Sequence, residues 1–192
     1  MRLHLAPDVF PVWRAIQEAT GDPDAPIPFW AFAWGGGLAI ARYISEHRDV
    51  VSGRRVLDVG SGSGLCAITA AGAGATSVTA ADVDPYAVAA IGLNARANHV
   101  RIDAVLDDLL EHDPPDVDVI LAGDCWYEET FGSRITAWLA RAAARGAQVL
   151  IGDPGRRYLA RDNLRELATY DVRSTTDLED LGRTRASVYA IN

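Results

Sequence analysis

The stretch Arg54–Ala71, "RRVLDVGSGSGLCAITAA", decides the fold. An apolar run ends in Asp58 and Val59. Glycine then alternates with small residues at Gly60, Gly62 and Gly64, and an alanine-rich run follows. A buried strand that turns through glycines into a small-residue helix opens a strand–helix–strand unit. Glycine there tolerates positive φ and lets backbone approach a ligand closely. The spacing is not the dinucleotide G-x-G-x-x-G, because Leu65 stands where the third glycine would fall and Gly64 comes one residue early.

The same alternation continues toward the C-terminus. Strands are expected at 77–83 (SVTAADV), 103–108 (DAVLDD), 117–124 (VDVILAGD) and 147–154 (AQVLIGDP). Asp84 and Pro85 form an N-cap and first-turn pair, and Val88, Ile91 and Ala95 mark the helix behind them. Ile135, Trp138, Leu139 and Ala142 mark another helix, closed by Gly146. Runs such as "VILAG" are apolar on consecutive residues, as in a parallel sheet covered by helices on both faces. A short helix is expected near Leu164 and Leu167. Strands at 170–175 (YDVRST) and 184–191 (TRASVYAI) follow, alternating as antiparallel edge strands do.

Upstream of the glycine turn the pattern is helical or irregular. Val9, Val12, Trp13 and Ile16 share a helical face that stops at Gly21; Pro23, Pro26 and Pro28 then forbid regular structure. A second helix after Gly35–Gly37 carries Ile40, Tyr43, Ile44 and His47 on one face. Trp13 and Trp138 lie on helical stripes and are assigned to the core. The expectation is one α/β, doubly wound domain over 1–192, with 1–53 as a helical and irregular extension and 54–192 as the ligand-binding core.

Composition narrows the function. The 192 residues carry a net charge of −8, and every basic side chain is arginine. An acidic chain without a basic block is poorly suited to a phosphate backbone, so no nucleic-acid partner is expected. No apolar run approaches a membrane span, and the N-terminus lacks the apolar block of a secretion signal. Two cysteines, Cys66 and Cys125, make no disulfide framework, which fits a reducing cytoplasm. The four histidines have no metal-ligand spacing, so no metal site is expected.

Charge also selects the ligand at the turn. Asp58 would repel a pyrophosphate but attract an amino or sulfonium cation. Asp82, at the next strand end, suits a ribose diol. Either Asp107 or Asp108, one strand further, suits the exocyclic amine of adenine. A cation, a ribose and an adenine met in that order describe S-adenosylmethionine.

The chain resembles the class I, seven-stranded S-adenosylmethionine-dependent methyltransferases over residues 54–108. More narrowly, "PFWAFAWGGGLAIARYI", "VLDVGSGSGLCAI", "TAADVDPYAVAAIGLNARAN", "VILAGDCWYE" and "VLIGDPGRRYL" resemble the electron transfer flavoprotein β-subunit lysine methyltransferases. The resemblance implies a Rossmann-like sheet of order 3-2-1-4-5-7-6 with strand 7 antiparallel. It implies S-adenosylmethionine as cofactor, S-adenosylhomocysteine as product, and a protein lysine as acceptor. The named partner would be the flavoprotein β subunit, with a ribosomal protein as a further candidate. Asp124-Cys125-Trp126-Tyr127 stands where base- and amide-methylating enzymes often carry Asn-Pro-Pro-Tyr. Cys125-Trp126 departs from the smaller or more aliphatic pairs expected there.

Carried over by position, Trp34, Asp58, Gly60, Ser61, Gly62, Gly64, Asp82, Val83, Asp107, Asp108 and Gly123 would hold the cofactor. Asp124 and Tyr127 would flank the incoming lysine as catalytic residues. Trp30, Trp126 and Arg156 would meet the substrate, the tryptophans and Tyr127 through their ring faces. Cys125 has no histidine neighbour in sequence and is expected to be inert. The competing readings are a methyltransferase for another protein or a small molecule, and a non-catalytic S-adenosylmethionine-binding module.

Overall fold

The computed structural model of the chain describes residues 1–173 and 184–192. Its sheet joins β1 (Arg55–Val59), β2 (Ser77–Asp82), β3 (Asp103–Leu106), β4 (Val119–Gly123), β5 (Gln148–Asp153), β6 (Leu164–Val172) and β7 (Thr184–Ile191) in the order β3-β2-β1-β4-β5-β7-β6. The first five strands are parallel, and β7 runs antiparallel to both β5 and β6. This is the order that the resemblance implied.

Consecutive apolar residues explain why both faces are covered. Along β4, Val119 and Leu121 pack with α2 (Gly35–Glu46) and α3 (Leu65–Gly72), whereas Ile120 and Ala122 pack with α5 (Glu129–Ala144). Ile91 of α4 (Pro85–Ala97) joins the first layer; Ile135, Trp138 and Leu139 of α5 supply the second. Each fully buried Ile or Leu contributes about 1.5–3 kcal/mol relative to an exposed one. Trp138 is core, as expected, and its Nε1 donates to the His112 carbonyl. Trp13 lies on α1 (Val9–Thr20), half-buried, and donates to the Ala25 carbonyl.

Two elements depart from the sequence reading. The helix expected near Leu164 and Leu167 is strand β6, paired with β7 from Leu164–Ile191 to Val172–Thr184. Its register shifts between Glu166 and Ala168, so a β-bulge inserts one residue into the alternation and leaves two leucines three apart. That spacing imitates a helical face. Of the strand expected at 170–175, residues 174 and 175 lie outside the described residues. The second departure is α2, which starts at Gly35 rather than after Gly37, so all three glycines are helical. Close packing requires glycine within this first turn: a Cβ on Gly36 would collide with the Gly152 carbonyl of β5, and one on Gly152 with the Gly36 carbonyl.

Candidate active site

The glycine turn sits at the C-terminal end of β1, where a doubly wound sheet opens toward ligands. Gly60, Gly62 and Gly64 all have positive φ (63°, 54° and 82°), which side-chain-bearing residues rarely adopt. Two acids shape the bend. Asp58 Oδ2 accepts from Ser61 Oγ at 2.6 Å and from the Ala67 amide at 3.0 Å, fixing α3 to β1. Asp82 accepts from the Gly62 amide at 2.8 Å and the Asp84 amide at 3.0 Å, tying β2 to the turn. Burial pushes the Asp58 carboxyl up to about 7 against the bonds from Ser61 and Ala67, with the Asp82 charge adding to the rise. Burial likewise raises Asp82. Both acids are held at a loss that a positive charge nearby would relieve.

Further along the strand ends two apolar side chains stand exposed among charged ones. Val83 after β2 is 67% exposed and Leu106 at the end of β3 is 55% exposed. The Asp107 carboxylate lies 3.5 Å from His112 Nε2. Asp108 accepts from the Leu110 amide and from Arg134. Trp30 stacks on Tyr86 of α4 at 6.2 Å between ring centroids, and its Cα lies against the Gly62 turn. The Trp30 Nε1 is buried without a protein hydrogen-bond partner. These contacts put Trp30 over the turn.

A second group of residues gathers where β4 ends. Asp124 has φ 60°, a left-handed conformation rare for a non-glycine residue, and its amide donates to the Gly152 carbonyl at 2.9 Å. Its carboxylate accepts from the Gly37 amide, in the first turn of α2, at 2.7 Å and from Arg156 Nη2 at 3.0 Å. A helix N-terminus and a guanidinium both favour the anion. Arg156 is in turn set by Asp153, which accepts from the Gly155 and Arg156 amides and is fully buried. The close contact of Gly36 with Gly152 is what brings α2 near enough for the Gly37 bond.

Aromatic rings continue from this point. Tyr127 is 54% exposed and packs against Phe29 and Phe131, each at 5.6 Å. Phe29 in turn meets Trp34 edge-on at 5.7 Å. Burial raises the Tyr127 hydroxyl pKa, so the phenol stays neutral.

One cleft thus unites Trp34, Asp58, Gly60, Ser61, Gly62, Gly123 and Asp124, residues spread over β1, β4 and the N-terminal extension. Arg156 reaches it through Asp124, and Tyr127 neighbours it through Phe29. Gly64 caps α3 instead of lining the cleft, and Val83, Asp107 and Asp108 stand further out along the strand ends.

Trp126 is a correction. It is 0% exposed, with its Nε1 donating to Thr136 Oγ1 of α5, so its ring faces the core and cannot meet a substrate. Cys125 is buried beside it, and burial first, then the Asp124 charge, pushes its thiol well above the usual range. A thiol in that state is a weak nucleophile.

Sequence reasoning missed Phe32, Gly37 and Leu65 in the cleft, Phe29 beside Tyr127, and Asp153 behind Arg156. No group of three or more His, Cys, Asp or Glu that could hold a metal occurs among the described residues.

Buried acids short of a counter-charge, a bend that side chains would fill and an unpaired indole donor together fit a cationic adenosine compound. Comparison with known proteins agrees. Residues 42–123 match the family model of the ribosomal protein L11 methyltransferases. The electron transfer flavoprotein beta subunit lysine methyltransferase of Danio rerio is 37% identical over 173 residues, covering 87% of this chain and 67% of that one. The Xenopus laevis protein of the same name is 34% identical over 196 residues, covering 99% and 78%. Among solved structures, a ribosomal protein L11 methylase from Lactobacillus delbrueckii subsp. bulgaricus superposes with a TM-score of 0.57 at 24% identity, covering 80% of this chain and 77% of that one. The chain belongs to the electron transfer flavoprotein β-subunit lysine methyltransferases, S-adenosylmethionine-dependent enzymes of the class I fold.

Proposed function

We propose that the chain methylates a lysine of the electron transfer flavoprotein β subunit, with a ribosomal protein as a further acceptor. The names of its relatives support that choice. The observation that carries the site assignment is the Asp124 carboxylate, held by Gly37 and Arg156 on the wall of the cofactor cleft.

When bound, S-adenosylmethionine supplies a sulfonium methyl group, which passes to the neutral amine as the S–CH3 bond breaks and S-adenosylhomocysteine leaves. In this reading Asp58 meets its amino acid end, and Gly60, Ser61, Gly62 and Gly64 form the bend around it. Trp34 and Gly123 wall the methionine side. Asp82 takes the ribose, Val83 lies along the adenine, and one acid at the end of β3, Asp108 or its competitor Asp107, meets the adenine amine.

The protein's own task is to align and neutralise the amine. A lysine has a pKa near 10.4, so making it a nucleophile at pH 7 costs roughly 4–5 kcal/mol. Asp124 draws the ammonium in but opposes loss of its proton. Arg156, bonded to the same carboxylate, offsets that opposition. The Tyr127 ring face, exposed beside Phe29, holds the cation while the proton leaves to water.

Residues 1–192 are taken as one methyltransferase unit in which 1–53 supplies the aromatic wall. A reducing cytoplasm is proposed because both cysteines are buried and unpaired. No helix among the described residues is long and apolar enough to cross a membrane. The test is incubation with labelled S-adenosylmethionine and the flavoprotein β subunit, followed by mass spectrometry. Methyl groups on lysine are expected. Intact cofactor binding with no label on the β subunit would remove this acceptor.

A further inference from the structure

We propose that Asn94 is a positioning residue for the cofactor turn, and that the N-terminal segment 2–6 acts on the turn through it. The inference rests on S-adenosylmethionine binding at the glycine turn.

Asn94 lies on α4 and is 0% exposed. Its Nδ2 donates to the Ser63 carbonyl at 2.8 Å, and its Oδ1 accepts from the His4 amide at 2.6 Å. Only one orientation of the side-chain amide satisfies both partners, so the assignment of oxygen and nitrogen is fixed by the network. Ser63 stands between Gly62 and Gly64, both at positive φ, and is itself 4% exposed. A buried carbonyl there needs a donor, and Asn94 provides it.

The segment beyond His4 is fastened in parallel. One helical turn along α4, Asn98 exchanges hydrogen bonds with the Arg2 backbone, and the Ala6 amide donates to the Ala31 carbonyl at 2.9 Å. Leu3 and Leu5 pack with Leu65, the first residue of α3, and with Ala33 and Ala41. Leu65 lines the cofactor cleft. The segment therefore reaches the turn through the polar bridge at Ser63, while the apolar contacts of Leu3 and Leu5 hold the segment in place. A ligand that requires the turn in this shape shares the ordering of the segment, and by linkage the segment raises its affinity.

The test is calorimetric titration of the full chain with S-adenosylhomocysteine. Asn94→Asp keeps the acceptor for His4 but sets oxygen against the Ser63 carbonyl. His4→Pro removes the donor from the other end. Asn94→Asp is expected to weaken binding about tenfold and His4→Pro about threefold, with the double variant no worse than Asn94→Asp alone. Additive losses, or an unchanged affinity in a folded Asn94→Asp variant, overturn the proposal. An unmodified chain that binds no S-adenosylhomocysteine overturns the cofactor reading beneath it instead. Hydrogen exchange on the unmodified chain gives a second readout free of folding defects. S-adenosylhomocysteine should slow exchange of the His4 amide together with the Gly60–Gly64 amides; a His4 amide indifferent to the ligand counts against the link.

Discussion

Arg156 Nη2 lies 3.0 Å from Asp124 Oδ1, joining the end of β4 to the loop after β5 at the wall of the cleft. The pair is largely shielded, its side chains 21% and 10% exposed. On the role proposed for Asp124, Arg156 answers part of its charge, and the bound amine should lose its proton more readily with Arg156 in place. Asp58, Asp82 and Glu128 add negative charge around the same strand ends, which sharpens the need for a cation there. Arg156→Gln should shift the ascending limb of the kcat–pH profile up by about one unit while lowering KM for the protein acceptor. Arg156→Lys should restore most of the original profile. A profile unmoved by Arg156→Gln removes the charge-offset role.

Asp58 predicts how cofactor binding depends on pH. Its carboxyl rises to about 7 through burial, and a bound ammonium lowers it again. Binding therefore releases a proton below pH 7, and affinity should fall about tenfold for each pH unit below that point. Above it, affinity should level off. Asp58→Asn should bind weakly with a flat pH response, as titration calorimetry in buffers of different ionisation heat will read.

The same group sets a sign for stability. A folded pKa above the unfolded value means that Asp58 favours the fold below about pH 4. That contribution is lost as pH rises through 7, by about 4 kcal/mol. Asp82 and Asp153, also raised by burial, act in the same direction. The ligand-free protein should melt at lower temperature at pH 8 than at pH 5.5 from these groups, and Asp58→Asn should narrow the difference. Added S-adenosylhomocysteine should narrow it further.

Two glycines in the same fold should respond in opposite ways to alanine. Gly152→Ala drives a methyl group into the Gly36 carbonyl, pushes α2 off β5 and strips Asp124 of the Gly37 amide; a loss of about 2–3 kcal/mol with loss of activity is expected. Gly72→Ala, at the last position of α3 with nothing within 4 Å, should stabilise by about 0.5–1 kcal/mol. Denaturant unfolding of both variants separates a backbone contact from mere helix propensity.

Trp126 and Tyr127 are adjacent in sequence and should behave differently. Trp126→Phe removes the bond to Thr136 in the core and should lower stability by about 1–3 kcal/mol with acceptor KM unchanged. Tyr127→Ala should leave the melting temperature nearly untouched and raise acceptor KM about fivefold. Equal kinetic effects from both would mean that the buried ring takes part in recognition after all.

What the sequence could and could not disclose follows from the range of the interactions. Asp84-Pro85 and the apolar run of β4 are local signals, read by their own neighbours, and both elements stand where expected. β6 was hidden because a bulge at Leu167 gave two leucines a helical interval. Trp126 was misplaced because two residues after Asp124 the chain has already turned back into the α5 layer. The Gly37–Asp124 bond spans 87 residues, and nothing local to either partner announces it. The acids at the strand ends were legible because each belongs to its own strand–helix unit.

The most direct measurement is a crystal structure of the chain with S-adenosylhomocysteine. Its amino group should lie at Asp58, its ribose at Asp82 beside Val83, and its sulfur should face the cleft wall formed by Asp124. An adenosine seated the other way round, or a turn that the compound leaves empty, would contradict the account.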